Sequence, residues 1–567
     1  MLAGQMMQVP LLVSSVMRHA ARHFGEQEIV SRRTEGDIHR YTYRDCEARA
    51  KQWANALTRL GVRPGERVGT LAWNGYRHLE LYYGTSGAGA VCHTINPRLF
   101  AEQVAFIIQE AGDRFVAFDV TFLPLVAQIA AQCPGVEGWI ALTDADRMPT
   151  SSLRLHCYET LLAAQSPHFD WPELDENTAC SLCYTSGTTG HPRGVLYSHR
   201  STVLHAYAAA LPDAMNLSSR DAVLPVVPMF HVNAWGLPYA APMTGAKLVF
   251  PGKDLDGKSL YELMENEGVT FSAGVPTVWL GLLNYLGEHG LRFSTLRRTI
   301  IGGSACPPAM LRAFEEQYGV EAIHAWGMTE LSPLGTLAKL SAKHAQRPLD
   351  EQLRLREKQG RVIFGIDMRI VADGAGEGDA DGDGDGPANA NGATLRELPW
   401  DGVTFGNLQV RGPWVAERYF GDTQSALDDG WFATGDIATI DADGFMQITD
   451  RSKDVIKSGG EWISSITVEN IAMAHPLVAE AACIACAHPR WGERPLLVVV
   501  LKPGTAATAV QRDAILAHFD DKIARWWKPD DVVFVDAIPH TATGKIQKLE
   551  LRRRFGETSL PSHGGAA

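Results

Sequence analysis

Between Arg67 and Asn96 the chain reads as strand, helix, strand: RVGTLAW, then HLELYYGTSGAGA, then VCHTIN. The small residues Gly84, Ser86, Gly87 and Gly89 suit a helix packed closely on a sheet. The rhythm returns downstream. AVLPVV precedes a segment around Trp235, KLVFP a helix near Leu260, and VTFSAG the stretch TVWLGLLNYL. TIIGG then leads to a helix opened by Pro307 and Pro308, and EAIHAWG follows it. Repeated strand–helix units produce parallel sheets covered on both faces, so the expected class is α/β with doubly wound sheets.

At 567 residues the chain exceeds a single core and suggests roughly four domain-sized pieces. After residue 392 it turns β-rich and is punctuated by Gly402, Gly406, Gly412, Gly430 and Gly444, which predicts a β-rich subdomain. From Asp450 a smaller α+β unit is expected, with helices around Val468–Ala474 and Val510–Ala524 and strands at Ala481–Ala487, Pro495–Leu501 and Asp531–Val535. The predicted division is therefore a large domain over 1–449, a linker at Asp450–Asp454 and a small domain over 455–567. Residues 373–392, DGAGEGDADGDGDGPANANG, interrupt the pattern with an acidic, nearly apolar-free run. Such a run cannot bury enough surface to offset its ordering entropy, and a disordered surface loop is expected. Its DxDxDG start resembles a calcium loop, but the twelfth position is Gly392 rather than Glu.

A net charge of −13 argues against nucleic acid as a partner, because phosphate backbones are met by clustered Lys and Arg. It leaves small anionic ligands open, since backbone dipoles hold phosphate on acidic proteins too. No stretch approaches the ~18 apolar residues of a membrane span. The opening MLAGQMMQVPLLVSSVMRHAARHFG reads as an amphipathic helix without a basic leader, and HGGAA is neither a lipidation nor a peroxisomal signal. A cytoplasmic location is the resulting expectation. Two CxxC pairs, Cys180–Cys183 and Cys483–Cys486, sit in apolar, strand-like runs. Buried thiols are expected there rather than zinc or redox chemistry.

The loop YTSGTTGHPRGV over Tyr184–Val195 follows the strand SLCYT directly. Its three glycines free backbone N–H groups to approach phosphate, and Thr185, Ser186, Thr188 and Thr189 add hydroxyl donors. Neither GxxxxGK[ST] nor GxGxxG is present, so Walker A and kinase-type nucleotide loops do not fit.

The loop resembles the signature of the adenylate-forming superfamily, which contains acyl-CoA synthetases, luciferases and peptide adenylation domains. Further motifs follow in that family's order: PMFHVNAWG at Pro228–Gly236, GGSA at Gly302–Ala305, WGMTE at Trp326–Glu330 and TGD at Thr434–Asp436. DRSKD at Asp450–Asp454, KSGGEW at Lys457–Trp462 and TGKIQK at Thr543–Lys548 complete the series. The similarity covers the whole chain apart from the acidic run. It is nearest to bacterial medium- and long-chain fatty acyl-CoA ligases and to methylthiopropionate ligases.

What the resemblance implies can be laid out residue by residue. Thr185, Ser186, Gly187, Thr188, Thr189 and Gly190, with Arg193 where the family often has Lys, would cover the β- and γ-phosphates of ATP. Glu330, with Thr185, would hold Mg²⁺, and Thr329 would donate to the α-phosphate. Gly302, Gly303 and Ser304, with Trp326 and Gly327, would pack adenine. Asp436 would accept from the ribose hydroxyls and Arg451 would reach the ribose. Lys545 would bridge carboxylate and α-phosphate oxygens in the adenylation transition state. Rotation about the linker would then withdraw Lys545 and bring Lys457, Gly459, Gly460 and Trp462 to the pantetheine channel of CoA. Val232, Trp235 and Met328 would border the acyl pocket, with Trp235 as a gate, and His231 beside them would join Lys545, Thr329 and Glu330 as a catalytic residue. An aliphatic carboxylic acid is the expected substrate, because FHVNAW offers no Asp for an α-amino group. A homodimer is the default expectation for the assembly.

Overall fold

The computed structural model describes residues 1–185, 192–372, 396–451, 453–458, 461–540 and 546–556. It divides into two compact units: Met1–Asp367 with Arg411–Leu427, and Met368–Val410 with Asp428–Ala567.

The first unit is built on two large sheets. One has seven strands, in the order Leu155–Cys157, Gly138–Ala141, Asp113–Phe118, Arg67–Leu71, Val91–Thr94, Ala179–Tyr184 and Gly194–Ser198. All neighbours run parallel except the last pair. The other has nine strands, with a parallel centre formed by Glu321–Gly327, Arg298–Ile301, Phe271–Gly274, Ala222–Pro225, Lys247–Phe250 and Glu28–Arg32. The central strands Val91–Thr94, Ala222–Pro225 and Phe271–Gly274 are buried at every position, as helices on both faces require. The α/β expectation is met, and the strands of this unit read from the sequence lie within two residues of their observed limits.

Local chemistry sets the helix starts. Asp256 caps Gly257–Glu267 by accepting from the Ser259 N–H, and Pro276 opens Pro276–His289 where its missing donor costs nothing. The helix Tyr76–Gly87 is buried on all sides. Its Gly84 does not face a sheet, as the small residues suggested. A side chain there would run into the Ala50 carbonyl and the Trp53 ring of the neighbouring helix Tyr43–Arg59. Ser86 supplies the sheet contact, donating to the Cys180 carbonyl over 2.8 Å.

The second unit holds an antiparallel sheet around Phe405–Arg411, Trp431–Ile440 and Met446–Arg451. It also holds a sheet whose long hairpin joins Val478–His488 to Gly492–Leu501, with Asp531–Phe534 added in parallel. Asp450 and Arg451, expected in a linker, are the end of a strand paired with Asp436 and Ile437. The helix expected over Val510–Ala524 stops at Ala517, and the following turn places Asp521 at a φ of +62°. The acidic run 373–392 lies outside the described residues. No two cysteines among the described residues form a disulfide; Cys180, Cys183, Cys483 and Cys486 are buried in strands, as expected. No helix among the described residues is long and apolar enough to cross a membrane.

Candidate active site

The strand Ala179–Tyr184 delivers Thr185 to the end of the seven-stranded sheet, and its antiparallel partner Gly194–Ser198 brings back Arg193. The two ends of the glycine-rich loop are tied together. The Thr185 N–H donates to the Arg193 carbonyl over 2.9 Å, and the Arg193 N–H donates to Thr185 Oγ1 over 3.1 Å. Ser186, Gly187, Thr188, Thr189 and Gly190 lie outside the described residues, as do Gly459, Gly460 and Lys545.

From this neck a chain of contacts leads to Glu330. The Arg193 guanidinium stacks on the Tyr419 ring, 3.4 Å from its centroid, and pairs with Asp422 over 2.7 Å. The Tyr419 hydroxyl donates to the Glu330 carboxylate over 2.7 Å. Burial and the adjacent Glu330 charge hold the Tyr419 phenol far above the usual tyrosine range, so it remains a donor at any working pH. The Glu330 carbonyl accepts from the Ala416 N–H, and the Tyr197 hydroxyl donates to the Thr329 carbonyl over 2.6 Å. Thr329 and Glu330, both mostly buried, are thereby fixed between two tyrosines. Tyr197 and Tyr419 escaped the sequence reading. Tyr197 lies just past the loop, its one signal, whereas Tyr419 borders no segment singled out from the sequence.

A second group forms around Trp235. Its indole lies over the Gly302–Gly303 backbone, where a methyl group on Gly302 would come within 3.0 Å of the ring. This brings together the segments expected to border the acid and the adenine. Trp326 lies in the same way over Gly335, and the Met328 N–H donates to the Pro333 carbonyl. Gly303 and Ser304 are exposed, Val232 is buried, and His231 and Met328 are half-buried. Gly327 is exposed as well.

Backbone geometry at Trp235 is exceptional. Val232, Asn233, Ala234 and Trp235 have φ values of +47°, +49°, +48° and +56°, and Gly236 follows at +79°. Left-handed residues cost roughly 1–2 kcal/mol each unless they are glycine, so the turn must be held by its surroundings. Ahead of it, Asn74 donates to the Pro225 and Val227 carbonyls over 2.8 and 2.9 Å and accepts from the Met229 N–H. Behind it, the buried His205 sits against Gly236 and accepts from the Leu334 N–H over 3.2 Å.

In the second unit, Asp436 is 4% exposed, and Arg451 reaches its carboxylate over 3.2 Å from the paired strand. Thr434 braces this part of the strand Trp431–Ile440, donating to the Leu408 carbonyl and accepting from the Asp436 N–H. Lys457 faces Trp462 across the short hairpin, with its ammonium 5.4 Å from the ring centroid.

Together these features describe a nucleotide-handling α/β enzyme. Residues 17–420 match the family described as AMP-binding enzyme, and residues 467–545 match the AMP-binding enzyme C-terminal domain. The chain belongs to this AMP-binding enzyme family. It is 52% identical to a 3-methylmercaptopropionyl-CoA ligase of Ruegeria lacuscaerulensis, over 97% of this chain and 98% of that protein. It is 49% identical to a medium-chain-fatty-acid–CoA ligase of Ectopseudomonas oleovorans, over 99% of this chain and 98% of the relative. Among solved structures, the anthranilate CoA ligase AuaEII in complex with anthranoyl-AMP superposes with a TM-score of 0.81 at 25% identity, covering 96% of this chain and 98% of that one.

Proposed function

We propose that this chain activates an aliphatic carboxylic acid with ATP and passes the acyl group to CoA. It is an acid–thiol ligase of the AMP-forming acyl-CoA synthetase type. In the first step a carboxylate oxygen bonds to the α-phosphorus, the bond to the β-phosphate breaks, and pyrophosphate leaves. In the second, the CoA thiol attacks the acyl carbonyl, gives up its proton, and AMP leaves. The observation that carries this reading is the connected set Thr185, Arg193, Tyr419 and Glu330, which fixes a buried carboxylate to the neck of a phosphate-type loop.

Thr329 would donate to the α-phosphate, and Ser186–Gly190 would cover the outer phosphates. Gly302, Gly303, Ser304, Trp326 and Gly327 would pack adenine, while Asp436 and Arg451 would hold the ribose. Lys545 would bridge the reacting oxygens during adenylation; Lys457, Gly459, Gly460 and Trp462 would border CoA after rotation about 450–454. Mg²⁺ fits Glu330, whose carboxylate is a hard oxygen donor already oriented by a phenol. The ion, held by Glu330 with Thr185, would neutralise phosphate charge as the bond to the leaving group breaks. His231, Val232, Trp235 and Met328 would border a medium- or long-chain acid. A short methylthio-substituted acid is the second reading, favoured by the 52% identity to the Ruegeria enzyme. A cytoplasmic homodimer completes the proposal, and sedimentation of the pure protein checks the dimer.

A panel of acids from propionate through methylthiopropionate to palmitate, scored by kcat/KM, tests the reading. Pyrophosphate, AMP and acyl-CoA should form in step, with a maximum in the medium-chain range. A maximum at methylthiopropionate selects the second reading, and no product with any acid rejects both. Lys545→Ala should lose about 10²–10³ in adenylation rate while sparing thioesterification of supplied acyl-adenylate. Equal loss of both half-reactions would remove Lys545 from its assigned step.

A further inference from the structure

The left-handed turn Val232–Trp235 contains one polar side chain that is almost completely buried, Asn233, at 3% exposure. Each end of its amide is engaged. Nδ2 donates to Ser181 Oγ over 3.0 Å, while Oδ1 accepts from the Tyr82 hydroxyl over 3.1 Å and from the Cys183 thiol over 3.4 Å. Burial pushes the Cys183 thiol up to about 11, so it stays protonated and able to donate. The single Tyr82 hydroxyl hydrogen is shared between Asn233 Oδ1 and the Met229 carbonyl just ahead of the turn, with the carbonyl the nearer acceptor. The side chain therefore fastens the turn to two elements at once: the helix Tyr76–Gly87 and the strand Ala179–Tyr184 that leads into Thr185.

Consecutive left-handed residues, one of them the β-branched Val232, do not persist on local preference. Asn tolerates the conformation better than most residues, but Val, Ala and Trp do not, and the turn has no glycine before Gly236. Among its side chains, Asn233 makes the hydrogen bonds that tie it to both neighbouring elements. What the turn delivers is the Trp235 indole, laid over Gly302 and Gly303.

We infer that Asn233 is a positioning residue for acid recognition: its amide, held by Ser181, Tyr82 and Cys183, locks the left-handed turn that seats Trp235 on the Gly302–Gly303 backbone. This rests on the proposed function, in which Trp235 borders the acid. Asn233 touches neither acid nor nucleotide and acts through Trp235.

Asn233→Gly separates the two contributions, because glycine accepts the left-handed backbone while removing the amide. Ser181→Ala is the gentler variant, removing a single partner and leaving Asn233 in place. The expected result for Asn233→Gly is an acid KM raised about tenfold and a flattened chain-length preference, with the ATP KM within about twofold of the parent. Ser181→Ala should show the same pattern at about threefold. Equal changes in the acid and ATP constants, or no change in a folded variant, would overturn the inference. A second readout does not depend on turnover. Subtracting the emission of each protein's Trp235→Phe version isolates the Trp235 indole, and Asn233→Gly should shift that difference spectrum to the red. An unmoved spectrum overturns the inference even if no acid is turned over, whereas an inactive parent with a shifted spectrum overturns only the acid-ligase reading.

Discussion

Tyr419 gives Glu330 a fixed direction while its ring carries the Arg193 guanidinium, so one side chain orients a carboxylate and a cation together. Tyr419→Phe keeps the stack and deletes only the phenol–carboxylate bond. On the role proposed for Glu330, ATP–pyrophosphate exchange should fall about tenfold or more, at a stability cost near 1 kcal/mol. Unchanged exchange would show that Glu330 needs no such guide. Buried histidines set a different residue-scale property. Burial pushes His78, His199 and His324 down to about 4 and His205 to about 3, from an ordinary value of 6.5. Between those values and 6.5 the unfolded chain takes up protons that the folded chain refuses. Their contribution is therefore complete above pH 6.5 and is lost as pH falls toward 4, by about 1.4 kcal/mol per unit for each histidine. The melting temperature should drop steeply between pH 6.5 and 5, and replacing one of these histidines by a non-titrating residue should reduce that slope.

At the scale of elements, strands and helices of the first unit were legible because burial on both sheet faces writes continuous apolar runs between turn signals. RVGTL, VCHT, KLVF and EAIHAWG all form strands where they were read. The turn at Val232–Trp235 was not legible. VNAW has no residue that asks for a left-handed backbone except Asn233, and what holds it comes from Ser181 and Tyr82, remote in sequence. The same holds for Tyr419, which reaches Glu330 across 89 positions. Motif spacing located Thr185, Glu330 and Trp235 but could not reveal the side chains that orient them. Gly236 tests how tightly the turn is built. Gly236→Ala puts a methyl group 2.7 Å from the His205 ring at a φ of +79°, and should cost about 2–3 kcal/mol in urea denaturation. A loss below about 0.5 kcal/mol would mean that the turn relaxes freely.

At the scale of the whole molecule, the second unit holds a buried ion cluster, two members of which, Asp450 and Lys548, lie in the DRSKD and TGKIQK motifs. Lys548 meets Glu469 over 2.7 Å and donates to Ser465 Oγ, while Asp450 accepts from the Ser465 N–H. Burial alone would lower the Lys548 ammonium, yet Glu469 and Asp450 together hold it above the ordinary lysine range. Lys548→Ala leaves two buried carboxylates without their cation, and should destabilise the second unit by about 3–5 kcal/mol, seen as an earlier calorimetric transition. A transition at the parent's temperature would show the cluster to be dispensable. The sequence reading placed a linker at Asp450 from the change of strand and helix pattern there, which says nothing of a carboxylate buried near Lys548, far along the chain.

Asn74 has one more consequence, for how long the enzyme lasts. It precedes Gly75, and in an Asn-Gly pair the unhindered backbone nitrogen attacks the side-chain amide readily, turning asparagine into aspartate or its isomer. Here the amide is 4% exposed and held by the Pro225 and Val227 carbonyls and the Met229 N–H. An aspartate would turn a negative charge toward two carbonyl oxygens, so the damage would undo the segment leading to Trp235. The clasp that shapes the pocket also guards its own chemistry, and this ageing clock advances only in molecules that have opened there.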